Sequence, residues 1–326
     1  MQTNDPMLAQ GATPKQAPAV WAVIPAYGRP ALLGAALASL RGQAGLHGVV
    51  VINNSRDAAT AEAARAGGQV RVLTPTVNLG TAGGIAWGLK TVFAEYGATH
   101  AWIMDDDAQA TPGVLAALLA ALERADADAA VPLLVDEQER VQWLPGLTGR
   151  TARRAGRGGP TVERFRSTAG VKPLSCRWAL WASLLVTRRA VEASGWPDVG
   201  LWSQFSDLDY TLRLTGNFRA VLAPLAVCRH LPPPSVEGPA FVAKLHSALQ
   251  NGNYVATRRR YGWRALRHLP GLHWRYLRHY HWAPRAWAGA GSAFFLGAVL
   301  GRKSARAATP GGIESARAEL ARYGVT

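Results

Sequence analysis

The chain has 326 residues, 48% hydrophobic and 17% charged, with a mean hydropathy of −0.01, which suits an α/β domain plus an extension and excludes a disordered or collagen-like chain. Two cysteines, Cys176 and Cys228, exclude a disulfide scaffold and a CxxC zinc site; they suit a reducing compartment and are expected as buried apolar fillers. The net charge is +15, yet residues from Asn251 onward hold 13 basic and 2 acidic residues, so any basic partner surface is expected to be local to the last quarter.

Residues 1–18 are polar, with Pro14 and Pro18 and no apolar run, and are expected as a disordered lead-in without an export signal. Ala19–Pro25 is an apolar run closed by proline, a first buried strand. Pro30 is placed to open a helix over Ala31–Arg41, where Leu32, Leu33, Ala36, Leu37 and Leu40 are expected to share a face. Gly48–Asn53 predicts a second strand, Ala58–Ala66 a helix, Val70–Leu73 a third strand and Gly83–Tyr96 a glycine-opened helix. His100–Met104 is a fourth strand ending in Asp105-Asp106-Asp107, followed by a helix over Pro112–Arg124 and a strand over Ala129–Leu134. Gly146–Arg166 is glycine-rich, basic and aperiodic, and is expected as a surface loop. Leu180–Val186 and Ala220–Leu222 are apolar again, the second run reaching His230 before Pro232-Pro233-Pro234. A helix is expected around Phe241–Arg260.

Strands alternating with helices predict a mostly parallel sheet with helices on both faces, and ligands in such sheets bind beyond the carboxyl ends of the strands. Three polar clusters fall there: Pro25-Ala26-Tyr27, Asn53 to Asp57, and Asp105-Asp106-Asp107. Three adjacent carboxylates repel one another unless a cation neutralises them, and hard divalent cations take carboxylate oxygens and complete their shell with phosphate. Asn78-Leu79-Gly80-Thr81-Ala82-Gly83-Gly84 lies between a strand and a helix, where glycines let backbone approach a ligand and a helix N-terminus favours an anion. Ser206 with Asp209 three residues on reads as a capping arrangement. Asp207 then lies in the first helical turn, where the dipole favours an ionised base, with Asp209 and Arg213 an i,i+4 pair.

In order and spacing these motifs resemble family 2 glycosyltransferases. Val23-Ile24-Pro25-Ala26-Tyr27-Gly28-Arg29 is similar to their opening VIPTYNR, Val51 to Asp57 to V-D-N-x-S-x-D, and Asn78 to Gly84 to N-x-G-x-A-G-G. Asp105-Asp106-Asp107 is similar to their D-x-D motif, and Ser206 to Arg213 to the acceptor-side D-x-E/D-Y/W-x-L-R. The combination of Ala82-Gly83-Gly84 with Trp102 to Asp107 is most similar to the galactofuranosyl and rhamnosyl branch.

The resemblance implies a GT-A fold and inverting transfer from a nucleotide-sugar, UDP- or dTDP-linked. Many members have Asp where Asn53 stands, which leaves the base open. It implies a donor-binding set of Pro25, Tyr27, Arg29, Asn53, Ser55, Asn78, Gly80, Gly83, Gly84, Asp105 and Asp106. It implies Mn²⁺ or Mg²⁺ on Asp105, Asp107 and His230, with Asp207 as catalytic base. Asp209 is expected to orient the acceptor, and Trp181, Trp196 and Trp202 to stack on its sugar faces. The acceptor is expected to be a lipid-linked or cell-surface glycan.

The expected division is a catalytic domain over 19–235, with its donor half at 19–135 and acceptor half at 165–235, then a helical extension over 236–326. Residues 254–287 interleave Arg258 to Arg260, Arg264, Arg267, Arg275, Arg278 and Arg285 with Tyr254, Tyr261, Trp263, Trp274, Tyr276, Tyr280, Trp282 and Trp287. That mixture suits the headgroup zone of an anionic membrane. The apolar stretch Ala286–Gly301 falls short of the ~20 residues of a span. The expectation is therefore a cytoplasmic protein, peripheral on the cytoplasmic face of the membrane. The competing expectation is that Ala286–Gly301 packs on the catalytic domain or on a second subunit of a homo-oligomer. A sugar nucleotidyltransferase would want a glycine-rich loop after the first strand, where Tyr27-Gly28-Arg29-Pro30 stands instead. A nucleic-acid-binding protein would spread its basic charge over the whole fold.

Overall fold

A computed structural model describes residues 17–231, 239–258, 269–303 and 312–325. Most of the lead-in, Pro232 to Pro234, and the stretch holding Arg259, Arg260, Tyr261, Trp263, Arg264 and Arg267 lie outside the described residues.

Each apolar run forms its strand. β1 (Val20–Ala26), β2 (Leu46–Asn53), β3 (Val70–Leu73) and β4 (His100–Met104) alternate with α1 (Pro30–Leu40), α2 (Ala58–Arg65) and α3 (Gly80–Ala94). Pro30 opens α1, and Asp57 caps α2 by accepting from Thr60 N at 2.7 Å. There follow β5 (Ala108–Ala110), α4 (Val114–Ala125), β6 (Ala129–Val135), α5 (Arg150–Ala155), α6 (Val162–Ala169), β7 (Leu174–Cys176), β8 (Ser183–Thr187), α7 (Arg188–Ser194), α8 (Ser206–Leu214) and β9 (Ala220–His230).

The sheet has nine strands in the order β3-β2-β1-β4-β8-β6-β9-β5, with β7 on β9. β8 is antiparallel to both β4 and β6, so β1, β2, β3, β4, β6 and β9 share one direction and the sheet is mostly parallel, as expected. Their carboxyl ends bring Ala26, Asn53, Met104 and His230 to one edge. Helices cover both faces. Leu33, Leu37, Val114 and Leu118 pack on one, and Leu89, Phe165, Tyr210 and Leu320 on the other. The sheet with helices on both faces has the arrangement that the resemblance implies, followed by a helical C-terminal region.

Glycine sets the closeness of α3 to the sheet. A Cβ on Gly88 would lie 2.3 Å from Val23 Cγ1, and one on Gly84 would lie 2.9 Å from Asn54 Nδ2.

The loop expected over Gly146–Arg166 holds two short helices, α5 and α6, instead. Ala152, Ala155 and Phe165 are buried, and the Thr161 hydroxyl caps α6. Three apolar anchors outweigh a glycine- and arginine-rich composition, because burial rather than propensity stabilises short helices.

The extension is α9 (Pro239–Thr257), α10 (Leu269–His279), α11 (Pro284–Phe294) with a π turn over Phe295–Val299, and α12 (Gly312–Arg322). Leu249, Tyr276, Leu277, Ala286, Ala290 and Ala293 form its own small core. Against α3, α12 places Leu320 and stacks Tyr323 on Trp87 at 4.2 Å. No helix among the described residues is long and apolar enough to cross a membrane.

Candidate active site

β4 ends at Met104 and the chain turns through Asp105-Asp106-Asp107 into β5, whose Ala108 pairs with His230 at the end of β9. That register sets the imidazole above the acidic turn. His230 Nε2 lies 3.3 Å from Asp107 Oδ1 and 3.8 Å from Asp105 Oδ2. One donor atom from each of the three residues falls within 4.8 Å of the others.

Asp107 Oδ1 is buried and accepts no well-directed hydrogen bond. Two carboxylate oxygens and an imidazole nitrogen, one oxygen buried without a donor, fit a divalent cation. Burial and the neighbouring carboxylate of Asp107 push the Asp105 carboxyl well up. Burial would raise Asp107 as well, but His230 and the Arg29 guanidinium hold it below its usual range. Burial works against the His230 cation, and the two carboxylates outweigh it and raise its pKa.

Asp106 points away from this cluster. It is buried, forms an ion pair with Arg29, and accepts from Tyr27 N at 3.2 Å. Arg29 also donates to Asp107 Oδ2 at 2.6 Å. Asp106 and Arg29 thus form a brace that joins the end of β1 to the acidic turn.

The second cluster is similarly self-engaged. Asn53 is buried; its amide donates to Asp57 O at 2.9 Å and accepts from Ser55 Oγ at 2.9 Å and Arg56 N at 3.0 Å. The amide shapes its own turn, with its oxygen and one of its two N–H groups engaged there. Asn54, absent from the expected set, donates to Gly80 O at 3.1 Å and accepts from Leu79 N at 3.2 Å, tying β2 to the glycine loop. Asn78 closes that loop by accepting from Gly80 N at 2.8 Å.

Gly80 has φ +66°, and a Cβ there would strike the Trp202 ring at 2.7 Å. Gly83 and Gly84 are buried against Leu79 and against Asn54 and Pro25. These glycines serve close packing of the loop and α3 on Trp202, Leu79, Asn54 and Pro25. Pro25 is buried, and Tyr27 at 57% exposure is the open side chain of its cluster.

On the acceptor side, Asp207 lies in the first turn of α8. The cap differs from expectation. Ser206 is already helical, and the residue before the helix is Phe205 in the left-handed region at φ +63° with no side-chain cap. Asp207 Oδ1 instead accepts from Leu208 N at 2.7 Å. Burial pushes its carboxyl up to about 6, against the dipole effect expected from sequence.

Asp209 is buried and paired with Arg213 at 3.1 Å, while Arg213 also donates to Ser194 O and Trp196 O. Trp181 and Trp202 are core residues, Trp181 beside Tyr210 and Trp202 beneath Gly80, which corrects their expected sugar contacts. Trp196 is half-buried against the same core.

Trp143 was not singled out by sequence. It is 52% exposed, with its ring centred 5.0 Å from that of His230. Its signal in the sequence is its position just beyond the carboxyl end of β6. Cys176 and Cys228 are buried, with thiols pushed up to about 12.

Residues 21–168 match the family model described as Glycosyl transferase family 2. No curated protein matches the sequence. Among solved structures, S. aureus TarS (residues 1–349) is similar over 93% of this chain and 88% of its own, at 14% identity and a TM-score of 0.56. GalNAc-T7, solved with UDP, GalNAc and Mn²⁺, is similar over 74% of this chain at 13% identity and a TM-score of 0.51; the match spans about half (51%) of that protein. Residues 21–168, a little under half of the chain, are thus similar to family 2 glycosyltransferases, and the fold is that of the GT-A structures it matches.

Proposed function

We propose that this protein is a metal-dependent inverting glycosyltransferase. It moves a sugar such as galactofuranose or rhamnose from a UDP- or dTDP-linked donor to a hydroxyl of a lipid-linked or cell-surface glycan. The observation that carries the reading is the meeting of Asp105, Asp107 and His230 around a buried oxygen without a donor, on the same strand-end edge as the raised carboxyl of Asp207.

Asp105, Asp107 and His230 would hold Mn²⁺ or Mg²⁺. Such an ion supplies charge stabilisation to the departing diphosphate. Arg29 fixes the Asp107 carboxylate toward the cluster. Asp207 takes the proton of the acceptor hydroxyl while that oxygen bonds to the anomeric carbon. The carbon–phosphate-oxygen bond breaks on the opposite face, and its electron pair leaves with the nucleotide diphosphate. A single displacement of this kind inverts the anomeric centre. Trp143, open beside His230, has the aromatic face that sugar C–H surfaces stack on.

The extension is read as the contact with an anionic membrane on its cytoplasmic face. Trp274, Trp282, Trp287, Phe294 and Phe295 are each 45% exposed or more, Arg278 lies over Trp274 at 5.1 Å, and no acidic residue falls between Glu237 and Glu314.

The deciding experiment is a thermal-shift panel of UDP-, dTDP- and GDP-sugars with Mn²⁺, followed by calorimetry of UDP with and without the ion. The wild type should be stabilised by a UDP- or dTDP-sugar. Asp107→Ala should lose the metal-dependent part of the affinity. A wild type indifferent to every nucleotide-sugar would sink the assignment, and a mutant that keeps the full metal-dependent gain would sink the ligand set.

A further inference from the structure

The loop that delivers Asp207 is strained. Trp202 and Phe205 both have positive φ, +60° and +63°, and neither is glycine. Such conformations are sparsely populated by residues that carry a Cβ and persist only where the surroundings over-determine them. The surroundings here come from two directions. Within the catalytic domain, Ala82 N donates to Trp202 O at 2.9 Å. The remainder comes from the C-terminal extension.

Asn251 of α9 is 1% exposed, and its amide donates to Leu201 O and Gln204 O, both at 2.9 Å. These two carbonyls bracket the strained pair's first member and lie just before its second. Next to it, Gly252 lets α9 come close: a Cβ there would lie 3.2 Å from Phe205 Cζ and 2.5 Å from Leu272 Cδ2. At the far end of the loop, Lys303 forms an ion pair with Asp198, whose carboxylate accepts from Gly200 N at 2.9 Å.

We infer that Asn251 is a positioning residue for transfer: its two hydrogen bonds hold the Leu201–Phe205 loop in the strained shape that presents Asp207 to the acceptor hydroxyl. This rests on the reading of Asp207 as the base. The amide's two bonds go to loop carbonyls, so its effect passes through the backbone. It acts on the first turn of α8, because Asp209 N bonds back to Phe205 O at 3.0 Å and so carries the loop's position into the helix. Both bonds run from α9 of the extension to the loop before α8, so the extension completes the acceptor half as well as carrying the aromatic face.

The test uses the full-length chain. Asn251→Asp keeps the side chain's size and removes both N–H donors; Asn251→Ala removes the side chain. Transfer is followed as nucleotide release from whichever UDP-, dTDP- or GDP-sugar the wild type turns over. Each variant should lose about 10- to 10²-fold in kcat, the scale of a displaced catalytic group, with donor KM and the UDP·Mn²⁺ dissociation constant within about twofold of wild type. Hydrogen exchange should rise at residues 198–209 and not in β1, β2 or β4.

Because a buried Asp or a cavity can unfold the chain, Lys303→Met serves as the surface counterpart. It should give a smaller fall in kcat with the same split from KM. An unchanged kcat in the Asn251 variants overturns the inference, and so does a loss of donor affinity in step with kcat, which would mark Asn251 as merely structural. If Asp207→Asn retains full turnover, the base assignment fails first. If Asp207→Asn is inactive while the Asn251 variants are not, only the positioning role fails.

Discussion

A carboxyl with a pKa near 6 is half-prepared for two tasks, and Asp207 is suited to one of them. A base must be ionised to accept a proton, so kcat/KM should fall as the pH drops through about 6. A divalent cation at Asp105, Asp107 and His230 favours the ionised form and moves that limb to lower pH. Asp207→Asn should remove the limb and lower turnover by about 10²–10⁴-fold, while UDP·Mn²⁺ affinity stays near wild type. A pH–rate profile with calorimetry on the same preparation checks both. Wild-type turnover in the variant would move the base elsewhere.

Single residues also mark where sequence reading stopped. The D-x-D spacing and the strand-end placement point to Asp105 and Asp107, and the family resemblance adds His230, which the structure brings to them. What spacing does not carry is which atoms of a motif are already spent. Asn53 and Asp106 sit in the right motifs, yet their polar atoms close a turn and brace an arginine. Trp143, outside every motif, is the aromatic group that stays open beside the cluster.

Among elements, α3 shows how glycines in a ligand-loop motif can serve packing. Its buried face runs from Gly80 to Phe93 with almost no interruption. Gly88→Ala would gain about 1 kcal/mol of helix propensity. It would also press a methyl group to 2.3 Å from Val23 Cγ1 and 2.9 Å from Ile52 Cδ1, on strands buried between two layers. β-branched and buried side chains cannot swing aside, so overpacking of about 1–3 kcal/mol should win. Urea denaturation should show a lower midpoint at unchanged slope, and a midpoint at or above wild type would mean that α3 can lift from the sheet.

β1 to β4, β6 and β8 are legible because each is a short apolar run, whereas the three-residue β5 and β7 carry no such run and are made strands by pairing with β9. α5 and α6 are not legible, because their order comes from Ala152, Ala155 and Phe165 docking on a core that only tertiary structure assembles.

At the scale of the molecule, most of the net positive charge lies from Asn251 onward, and the proposed membrane reading assigns the binding to that extension. A membrane-proximal Lys or Arg contributes about 1 kcal/mol near an anionic surface, and salt screens that attraction. Exposed Trp and Phe on α10 and α11 add an apolar contribution that salt leaves intact. Vesicle co-sedimentation should therefore need anionic lipid, weaken along a salt series and vanish on truncation before Asn251. Equal binding to neutral vesicles at high salt would indicate insertion instead, and no binding to either would make the face a protein interface.

The chain's end is also pinned to the donor half. Glu319, buried on α12, accepts from Thr76 N at 2.9 Å and Thr76 Oγ1 at 2.7 Å, two residues before Asn78.

The last strand contains a length reserve. β9 pairs with β6 as far as Ala223 opposite Pro132 and resumes at Val227 opposite Leu133, so Pro224, Leu225 and Ala226 loop out between them. Arg166 donates to the Pro224 and Leu225 carbonyls there, at 2.8 and 3.4 Å. Beyond the loop, Cys228, Arg229 and His230 are locked opposite Ala110, Gln109 and Ala108. Side chains on a strand alternate faces, so the segment after the bulge works as a parity switch. Dropping one residue between Val227 and His230 turns the imidazole to the opposite face of the sheet, and dropping two turns it back one pleat short of the acidic turn. Adding a residue within Pro224–Ala226 is absorbed by the bulge and leaves the imidazole in place. Drift in chain length can thus accumulate upstream of His230 without reaching the metal cluster.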